Sequence, residues 1–371
     1  MASGLPSVRG KVFLLGAGPG DPGLLTLRAL EALQQADVVL YDYLVNPVAL
    51  RHARPDAEVI CLGKHGKAGG SRIWTQEEIN ARLIADAEAG KKVARLKSGD
   101  PTVFGRLNEE LSALQEAGID YEVTPGVTAG LAAGAFAGIP VTHREFASAV
   151  ALITGQETKS KTESNLDYEA LARFPGTLVF YMGVTTVKIW APKLIEAGKP
   201  ADTPVAIIRR CSFPDQLTIT TTLGKAAEVL TPSERIRPPV IVIVGGVVRQ
   251  RETLSWFESR PLFGKRVLMT RPEESGGELT RLLEERGADV IVHPVIEIGP
   301  PEDAEPLNAA LERLGDYQWV LFSSANGVRG FFDALYASGR DARALGAARV
   351  AAVGPGTAEA MLKYGVRCDV T

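Results

Sequence analysis

The chain of 371 residues has little cysteine and no marked excess of charge. Its three cysteines, Cys61, Cys211 and Cys368, are far apart and odd in number, so they form neither a metal-ligand spacing nor a disulfide framework. A reducing cytoplasm is therefore the expected compartment. The formal net charge of -3 offers no bulk attraction for nucleic acid. These absences argue against a disulfide-rich secreted domain, a metal site and a polyanion-binding protein.

Long hydrophobic runs are also missing. The longest run, residues 240–248, is too short to cross a bilayer and contains two glycines, so it predicts a buried strand. The first residues, MASGLPSVRGK, have no apolar core and do not form a secretory signal. A hydrophobic content of 45% and a charged content of 23% are typical of a soluble globular protein. The length predicts two or three domains.

Apolar, β-branched runs alternate with segments of helical period through most of the chain. This alternation predicts an α/β fold with largely parallel strands that are covered on both faces. The predicted strands cover residues 12–15, 38–41, 58–61, 92–96, 121–123, 149–153, 177–181, 204–208 and 240–244, and two of the helices cover 75–88 and 108–117. Composition shifts place one boundary near residues 123–136 and a second near 258–264.

The last part of the chain begins a new series of strands and helices. Its predicted strands cover residues 267–270, 290–293, 319–323 and 350–353, with helices between them. The final residues, Asp369 to Thr371, look like the start of another strand with no helix after it. We therefore expect this region to be part of a larger domain.

A glycine-rich stretch, GAGPGDPGLLT at residues 16–26, follows the first predicted strand. Gly18, Gly20 and Gly23 match the spacing of a dinucleotide-binding turn, which binds pyrophosphate through free backbone N–H groups at a helix N-terminus. The spacing alone leaves three alternatives: a nucleotide-phosphate site, a connecting turn without a ligand, and a turn built for a different ligand.

Other residues of this stretch argue against pyrophosphate. Pro19 and Pro22 each lack a donor, and Asp21 places negative charge where a phosphate would bind. Thr26 is the better candidate for the helix N-cap, so the helix would begin after the last glycine. An acidic residue near the end of the second strand, Asp42, keeps the dinucleotide alternative open.

Longer motifs identify a family. The segment LLGAGPGDPGLLTLRALEALQQADVVLYDYLV resembles the opening of the tetrapyrrole (corrin/porphyrin) methyltransferases. RLKSGDPTVFGR, YEVTPGVTAGLAAGAFAGIPVTHR, TLVFYMG and TPVAIIRRCSFPDQ follow in that family's order, and the resemblance covers about residues 11–254. Within the family, GKHG, QEEIN and GIPVTHR are most similar to the enzymes that methylate uroporphyrinogen III.

This resemblance implies a fold and a reaction. It implies two α/β subdomains around a cofactor cleft, residues 1–124 and 125–258, in a homodimer. It also implies transfer of methyl groups from S-adenosyl-L-methionine to C2 and C7 of uroporphyrinogen III, without a metal. The product would be precorrin-2, a precursor of sirohaem and cobalamin. Residues 264–371 would form part of a third domain.

The C-terminal region resembles uroporphyrinogen-III synthase. The motifs are KRVLMTRPEESGGELTRLLEERGADVIVHPVIEI, WVLFSSANGVRGFF and ARVAAVGPGTAEAMLKYGV. They cover only about the first half of that family's domain pair, so synthase activity does not follow for the sequence given. The recurrent loops of that family fall on Arg271-Pro272, Ser323-Ser324, Asn326 and Thr357, and Thr357 has the alternative role of a helix N-cap.

The methyltransferase resemblance assigns cofactor contacts to nine residues: Pro19, Ser98, Gly99, Asp100, Val103, Thr128, Ala129, Met182 and Cys211. Ser98 and Cys211 stand where the family has glycines. Alternatives from the residues themselves stay open: a β-turn with Asp100 capping a helix, a closely packed helix N-terminus at Thr128, and a core position for Met182. For Cys211 we favour a small packed residue over a nucleophile.

The same resemblance assigns proton transfer to Asp42 as acceptor and Lys64 as donor, although spacing does not fix these roles. Their alternatives are a loop or cap residue and a solvated turn. The eight carboxylates of the substrate call for local cations, and Arg106, His143 and Arg144 are the candidates beside Lys64. Arginines of this kind are often structural ion pairs instead.

Three other functions stay open at this point. Another precorrin methyltransferase would share the fold and differ in substrate. An NAD(P) oxidoreductase would use the glycine-rich turn, against the prolines and the later motifs. A non-catalytic tetrapyrrole carrier would explain the replacement of glycines by Ser98 and Cys211.

Overall fold

The structure is a computed structural model, and it describes residues 9–63, 74–157, 164–230, 236–271 and 273–371. The strands are β1 Lys11–Gly16, β2 Val38–Tyr41, β3 Glu58–Cys61, β4 Lys92–Lys97, β5 Asp120–Thr124, β6 Val150–Thr154, β7 Thr177–Tyr181, β8 Pro204–Arg209, β9 Leu217–Thr222, β10 Val240–Val244, β11 Arg266–Met269, β12 Asp289–Val292, β13 Trp319–Phe322 and β14 Arg349–Ala352. The α-helices are α1 Leu27–Gln34, α2 Gln76–Glu88, α3 Leu107–Glu116, α4 Ala129–Ala137, α5 Tyr168–Arg173, α6 Val187–Glu196, α7 Ala226–Leu230, α8 Arg251–Leu254, α9 Glu273–Glu285, α10 Glu305–Glu312, α11 Ala325–Ala337 and α12 Pro355–Leu362.

The first sheet has the strand order β3-β2-β4-β1-β5, and its pairs are parallel. One face packs against α2 and α3 through residues such as Leu14, Leu83 and Leu114. The other face packs against α1 through residues such as Leu15 and Leu33. The predicted parallel α/β arrangement is confirmed for this sheet, with β1, β2 and β4 buried on both faces, whereas the edge strands β3 and β5 are largely exposed or only partly buried.

The second sheet has the order β6-β7-β10-β8-β9 and is mixed. Only β6 and β7 pair in parallel, whereas β10 is antiparallel to both β7 and β8, and β8 is antiparallel to β9. The expectation of largely parallel strands is therefore wrong here. Strand β9 was not predicted because its sequence, LTITTT, has no apolar run and its residues are only partly buried. A strand joined to β8 by a short turn must run antiparallel to it.

Residues 268–277 and 292–371 form a compact unit of their own. Strands β13 and β14 pair in parallel, and α11 and α12 cover one face through Phe332, Leu335 and Met361. The predicted start of a further strand is confirmed, because the Ala352 N–H donates to the Val370 carbonyl at 2.9 Å. The domain boundaries at residues 124, 258 and 264 stay predictions.

In the part of the chain that the structure describes, the helices fall short of the length and apolar character needed to cross a bilayer.

Candidate active site

A cavity of about 380 Å³ lies among residues from both five-stranded sheets. The ends of β1, β4 and β5 reach its edge, because the carboxyl ends of parallel strands meet on one side of a sheet. The cavity brings together all nine predicted cofactor residues: Pro19, Ser98, Gly99, Asp100, Val103, Thr128, Ala129, Met182 and Cys211. These residues are spread over almost two hundred positions of sequence, so their convergence is a property of the fold.

Glycines beneath the cavity let three loops touch. Gly18 and Gly99 form a two-residue bridge, in which the Gly99 N–H donates to the Gly18 carbonyl at 2.7 Å. A Cβ on Gly16 would lie 2.5 Å from the Gly126 nitrogen, and one on Gly126 would lie 2.3 Å from the Gly99 oxygen. Side chains at Gly16 and Gly126 would therefore push the loops apart. These close backbone contacts explain the glycines without a phosphate.

The rest of the glycine-rich stretch behaves as its residues predict. Asp21 caps its own short turn, with its Oδ1 accepting from the Gly23 N–H at 2.8 Å. Thr26 is the N-cap of α1 and accepts from the Ala29 N–H at 3.2 Å. Helix α1 therefore begins after the last glycine, as expected for a turn that is not a pyrophosphate site.

The loop after β4 uses its acidic side chain for structure. Asp100 Oδ1 accepts from the Thr102 N–H at 2.7 Å, and Oδ2 accepts from the Gly126 N–H at 3.0 Å. The β-turn of the structural alternative is confirmed, but Asp100 does not cap a helix, because the N-cap of α3 is Arg106; Asp100 also lines the cavity. The positive φ of this loop, +70°, falls on Gly99, so Ser98 stands at a position that does not require glycine.

Tyr181, at the end of β7, was not predicted and joins the second sheet to α4. Its hydroxyl accepts from the Gly130 N–H at 2.8 Å and lies 2.7 Å from Thr128 Oγ1. Thr128 is the N-cap of α4 but makes no capping bond of its own, so the tyrosine satisfies the helix end instead. The available signal was its place beside Met182 in TLVFYMG, at a strand end.

Non-glycine residues with left-handed backbone conformations gather at the cavity. Phe104, Met182 and Arg210 line it with φ angles of +54°, +53° and +50°. Such conformations cost about 1–3 kcal/mol each and persist where surrounding contacts impose them, often at functional sites. Only Met182 was predicted; its side chain is exposed, so the core alternative is wrong. Local sequence carries no signal for a positive φ at Phe104 or Arg210.

Cys211 packs in the core beneath the cavity wall. It is buried, and its Sγ lies 3.8 Å from the Ala129 carbonyl oxygen. Burial raises the pKa of its thiol to about 12, which keeps the thiolate scarce. The interpretation as a small packed residue is confirmed, and the positive φ values of this turn fall on its neighbours Arg210 and Ser212.

Asp42 lies at the carboxyl end of β2, two residues before Leu44, which lines the cavity. Its side chain is partly exposed, and its Oδ1 accepts from Arg95 Nη2 at 2.5 Å. The position beside the cavity is compatible with proton transfer. Lys64, the other predicted catalytic residue, lies outside the described residues.

The three predicted substrate cations that the structure describes, Arg106, His143 and Arg144, do not line the cavity. Arg106 is largely exposed and forms a two-point ion pair with Glu109, as the structural alternative proposed. His143 Nδ1 accepts from the Glu145 N–H at 3.1 Å, and its ring stacks on Phe146. Arg144 is exposed. Their substrate role stays a prediction.

A second cavity, of about 700 Å³, lies within the C-terminal unit. It is lined by the residues that resembled the synthase loops, among them Arg271, Ser323, Ser324, Asn326 and Thr357. Pro272 lies outside the described residues. The N-cap alternative for Thr357 is wrong, because the N-cap of α12 is Gly354 and Thr357 lies inside the helix.

Comparisons with known proteins match this geometry. Residues 11–227 match the family Tetrapyrrole (Corrin/Porphyrin) Methylases, and residues 277–371 match Uroporphyrinogen-III synthase HemD. The Porphyrin biosynthesis protein HemD of Ruminiclostridium josui is 42% identical over 362 residues, which are 98% of this chain and 71% of that protein. The Uroporphyrinogen-III C-methyltransferase of Bacillus subtilis is 42% identical over 337 residues, 91% of this chain and 68% of that protein.

A solved structure shows the same fold. Uroporphyrin-III C-methyl transferase from Thermus thermophilus, complexed with S-adenyl homocysteine, is 39% identical and superposes with a TM-score of 0.55. The match covers 65% of this chain and 94% of that chain. The chain therefore belongs to the tetrapyrrole (corrin/porphyrin) methylases, a family of methyltransferases, and carries a segment like uroporphyrinogen-III synthase behind its methylase part.

Proposed function

We propose that this chain transfers methyl groups from S-adenosyl-L-methionine to C2 and C7 of uroporphyrinogen III, giving precorrin-2. The observation that carries the proposal is the convergence of all nine predicted cofactor residues on one cavity. The product would serve sirohaem or cobalamin synthesis. The homodimer and the cytoplasmic location stay predictions from the resemblance and from the cysteine content.

The cavity suits an adenosine joined to an amino-acid tail. Its volume of about 380 Å³ is that of a small-molecule site. Ile208, Val240 and Ile241 supply apolar wall for a flat ring, and the loops after β1 and β4 reach the cavity through Pro19, Ser98 and Gly99. When bound, S-adenosyl-L-methionine supplies an electrophilic methyl group on a sulfonium ion. Such a ligand needs close backbone approach and no phosphate cradle, which the glycine contacts of this site allow.

The protein's main contribution is positioning. Exposed side chains at the cavity, Leu44, Phe104 and Met182, offer apolar surface that would exclude water from the two reactants. Asp42, beside this surface, would accept the proton that the methylated pyrrole ring must lose. His143 and Arg144 would bind carboxylates of the substrate. Arg106 would bind one as well, in addition to its ion pair with Glu109.

Two alternatives remain testable. Another precorrin methyltransferase would share this cavity and differ only in the tetrapyrrole that it accepts. The non-catalytic carrier loses its motivation, because Ser98 and Cys211 both fit their positions without strain in φ. Calorimetry with S-adenosyl homocysteine separates the carrier from both enzymes: absence of binding at millimolar concentration would favour the carrier.

The direct test is anaerobic turnover of uroporphyrinogen III with methyl-labelled S-adenosyl-L-methionine. Two labelled methyl groups per tetrapyrrole are expected from the intact chain, and Asp42→Asn should reduce the rate sharply. Asp37→Asn is the matched control, because Asp37 lies just before the opposite end of β2 and pairs with Arg54. No transfer to uroporphyrinogen III by the intact chain would contradict the substrate, and an undiminished Asp42→Asn rate would contradict the role of Asp42.

A further inference from the structure

Four charged side chains form a connected group that ends at Asp42. Arg95 and Lys97 lie two residues apart on β4 and therefore point to the same face of the first sheet. Glu110 on α3 meets both of them through Oε1, at 3.1 Å from Arg95 Nε and 2.8 Å from Lys97 Nζ. Arg95 Nη2 continues to Asp42 Oδ1 at 2.5 Å. Of these four residues, only Asp42 was predicted from the sequence to have a functional role.

All members of the group except Asp42 are buried. The side chains of Glu110, Arg95 and Lys97 are 0%, 3% and 4% exposed, whereas that of Asp42 is 35% exposed. Two cations and two carboxylates balance formally, which is how charges are tolerated in an interior. Only the Asp42 end of the group reaches a surface where a substrate could meet it.

The guanidinium of Arg95 is held at three points. Besides Asp42 and Glu110, its Nη1 donates to the Leu96 carbonyl at 3.3 Å. The planar guanidinium therefore has a fixed orientation and occupies one particular oxygen of Asp42. Among the described residues, Asp42 Oδ2 has no hydrogen-bond donor, so this oxygen remains to accept a proton.

We propose that Arg95 is a positioning residue for the methyl transfer: anchored from behind by Glu110, it holds the Asp42 carboxylate turned so that Oδ2 faces the substrate. This inference rests on the proposed function and adds to it the three buried groups that make Asp42 a competent proton acceptor. Arg95 and Glu110 are buried behind Asp42 and do not line the cavity, so their expected effect on the reaction passes through Asp42.

The surroundings set the direction of the expected pH effects. Desolvation opposes the charge on Arg95, but the carboxylates of Asp42 and Glu110 outweigh it and raise the pKa of this guanidinium. Burial and the nearby Arg95 lower the pKa of Lys97. On α2, the side-chain amide of Gln76 contacts the charged group, with its Nε2 at 3.5 Å from Glu110 Oε1. From the start of α3, Arg106 is an electrostatic neighbour of Glu110.

Two substitutions should shift the pH–rate profile in opposite directions. Arg95→Met removes a cation beside a carboxylate, so the acidic limb of kcat should move to higher pH, and kcat at its optimum should fall by about 10²-fold through loss of orientation. Glu110→Gln removes a negative charge behind Arg95, so the acidic limb should move to lower pH. Arg95→Lys should restore most of the limb position, because it restores the charge, but only part of kcat. The affinity for S-adenosyl homocysteine should stay within about twofold in all three variants.

Arg82→Met is the matched control for folding. Arg82 pairs with the buried Asp86 and with Glu58 on the same side of the first sheet, away from Asp42. This variant should lose stability without moving the acidic limb. If Arg95→Met does not fold, the pH–rate profile of Glu110→Gln still tests the role of Arg95.

The outcomes separate this inference from the proposed function. Loss of methyl transfer in Asp42→Asn together with unmoved limbs in Arg95→Met and Glu110→Gln overturns the role of Arg95 alone. Limbs that move in the same direction in both variants also overturn it. An intact chain that methylates nothing, or an Asp42→Asn variant at full rate, overturns the proposed function or the role of Asp42 instead.

Discussion

The hydroxyl of Tyr181 is the most informative single group to remove. It satisfies the N-terminal end of α4 through the Gly130 N–H and pairs with Thr128, whose side chain lines the cavity. Tyr181→Phe keeps the ring, which lies 5.0 Å from the ring of Phe104. The substitution therefore deletes two hydrogen bonds and almost no packing.

The magnitude follows from these two bonds. Losing a helix N-cap partner costs about 1 kcal/mol, and leaving the buried Thr128 hydroxyl unpaired costs about 1 kcal/mol more. The free energy of unfolding should therefore fall by about 2 kcal/mol, roughly a 30-fold change in the folding equilibrium. Because Thr128 would lose its orientation at the cavity, affinity for S-adenosyl homocysteine should weaken by about fivefold.

Urea denaturation and calorimetry would measure both effects in a double-mutant cycle with Thr128→Val. The double variant should be less destabilised than the sum of the single variants, because Thr128→Val removes the hydroxyl that Tyr181→Phe leaves unpaired. Equal urea midpoints for Tyr181→Phe and the wild type, or strictly additive effects, would refute the role given to the tyrosine.

Further predictions concern the loops and the pH dependence of stability. Gly126→Ala places a Cβ 2.3 Å from a backbone oxygen, so it should destabilise the protein by about 2 kcal/mol and weaken S-adenosyl homocysteine binding. Gly330→Ala lies in helix α11 with open space around it and should stabilise the protein by up to about 1 kcal/mol. Thermal melts of both variants would measure these changes in stability. Because the pKa of Cys211 is raised to about 12, the folded state keeps a proton that the unfolded state loses, so the free energy of unfolding should fall from about pH 9 upwards. Between about pH 9 and pH 10 the Cys211→Ala variant should lose less stability than the wild type. Parallel slopes of stability against pH for the two proteins would contradict this. Glu258→Gln should cost about 2 kcal/mol in urea denaturation by weakening the 2.6 Å contact with Arg251, and an unchanged midpoint would show that contact to be dispensable.

Much of the fold was predictable because its signals are local. Strands β2, β3, β7 and β10 have the predicted bounds. The short apolar runs of β2, β7 and β10 are buried in their sheets, whereas β3 is a largely exposed edge strand. Helix α2 likewise follows from its capping box, in which Thr75 and Glu78 exchange hydrogen bonds.

The candidate site was predictable as a set of loops and unpredictable in its supporting contacts. The nine cofactor residues follow from motifs that each occupy a few neighbouring positions. Arg95 and Lys97, by contrast, stand in a strand where charged residues ordinarily indicate a solvent face, and they are buried because Glu110 and Asp42 meet them there. The neighbouring residues in the segment ARLK carry no signal for these partners.

The sequence by itself determined most of the strands, the helices and the glycine-dependent turns, with β9 as the exception, because these depend on burial pattern, capping and backbone freedom within a few residues. Tertiary structure alone decided that the second sheet is mixed, that Tyr181 completes the end of α4, and that Arg95 connects Glu110 to Asp42. Each of these depends on groups distant in sequence, whose pairing becomes favourable only after the surrounding chain has removed water from both partners.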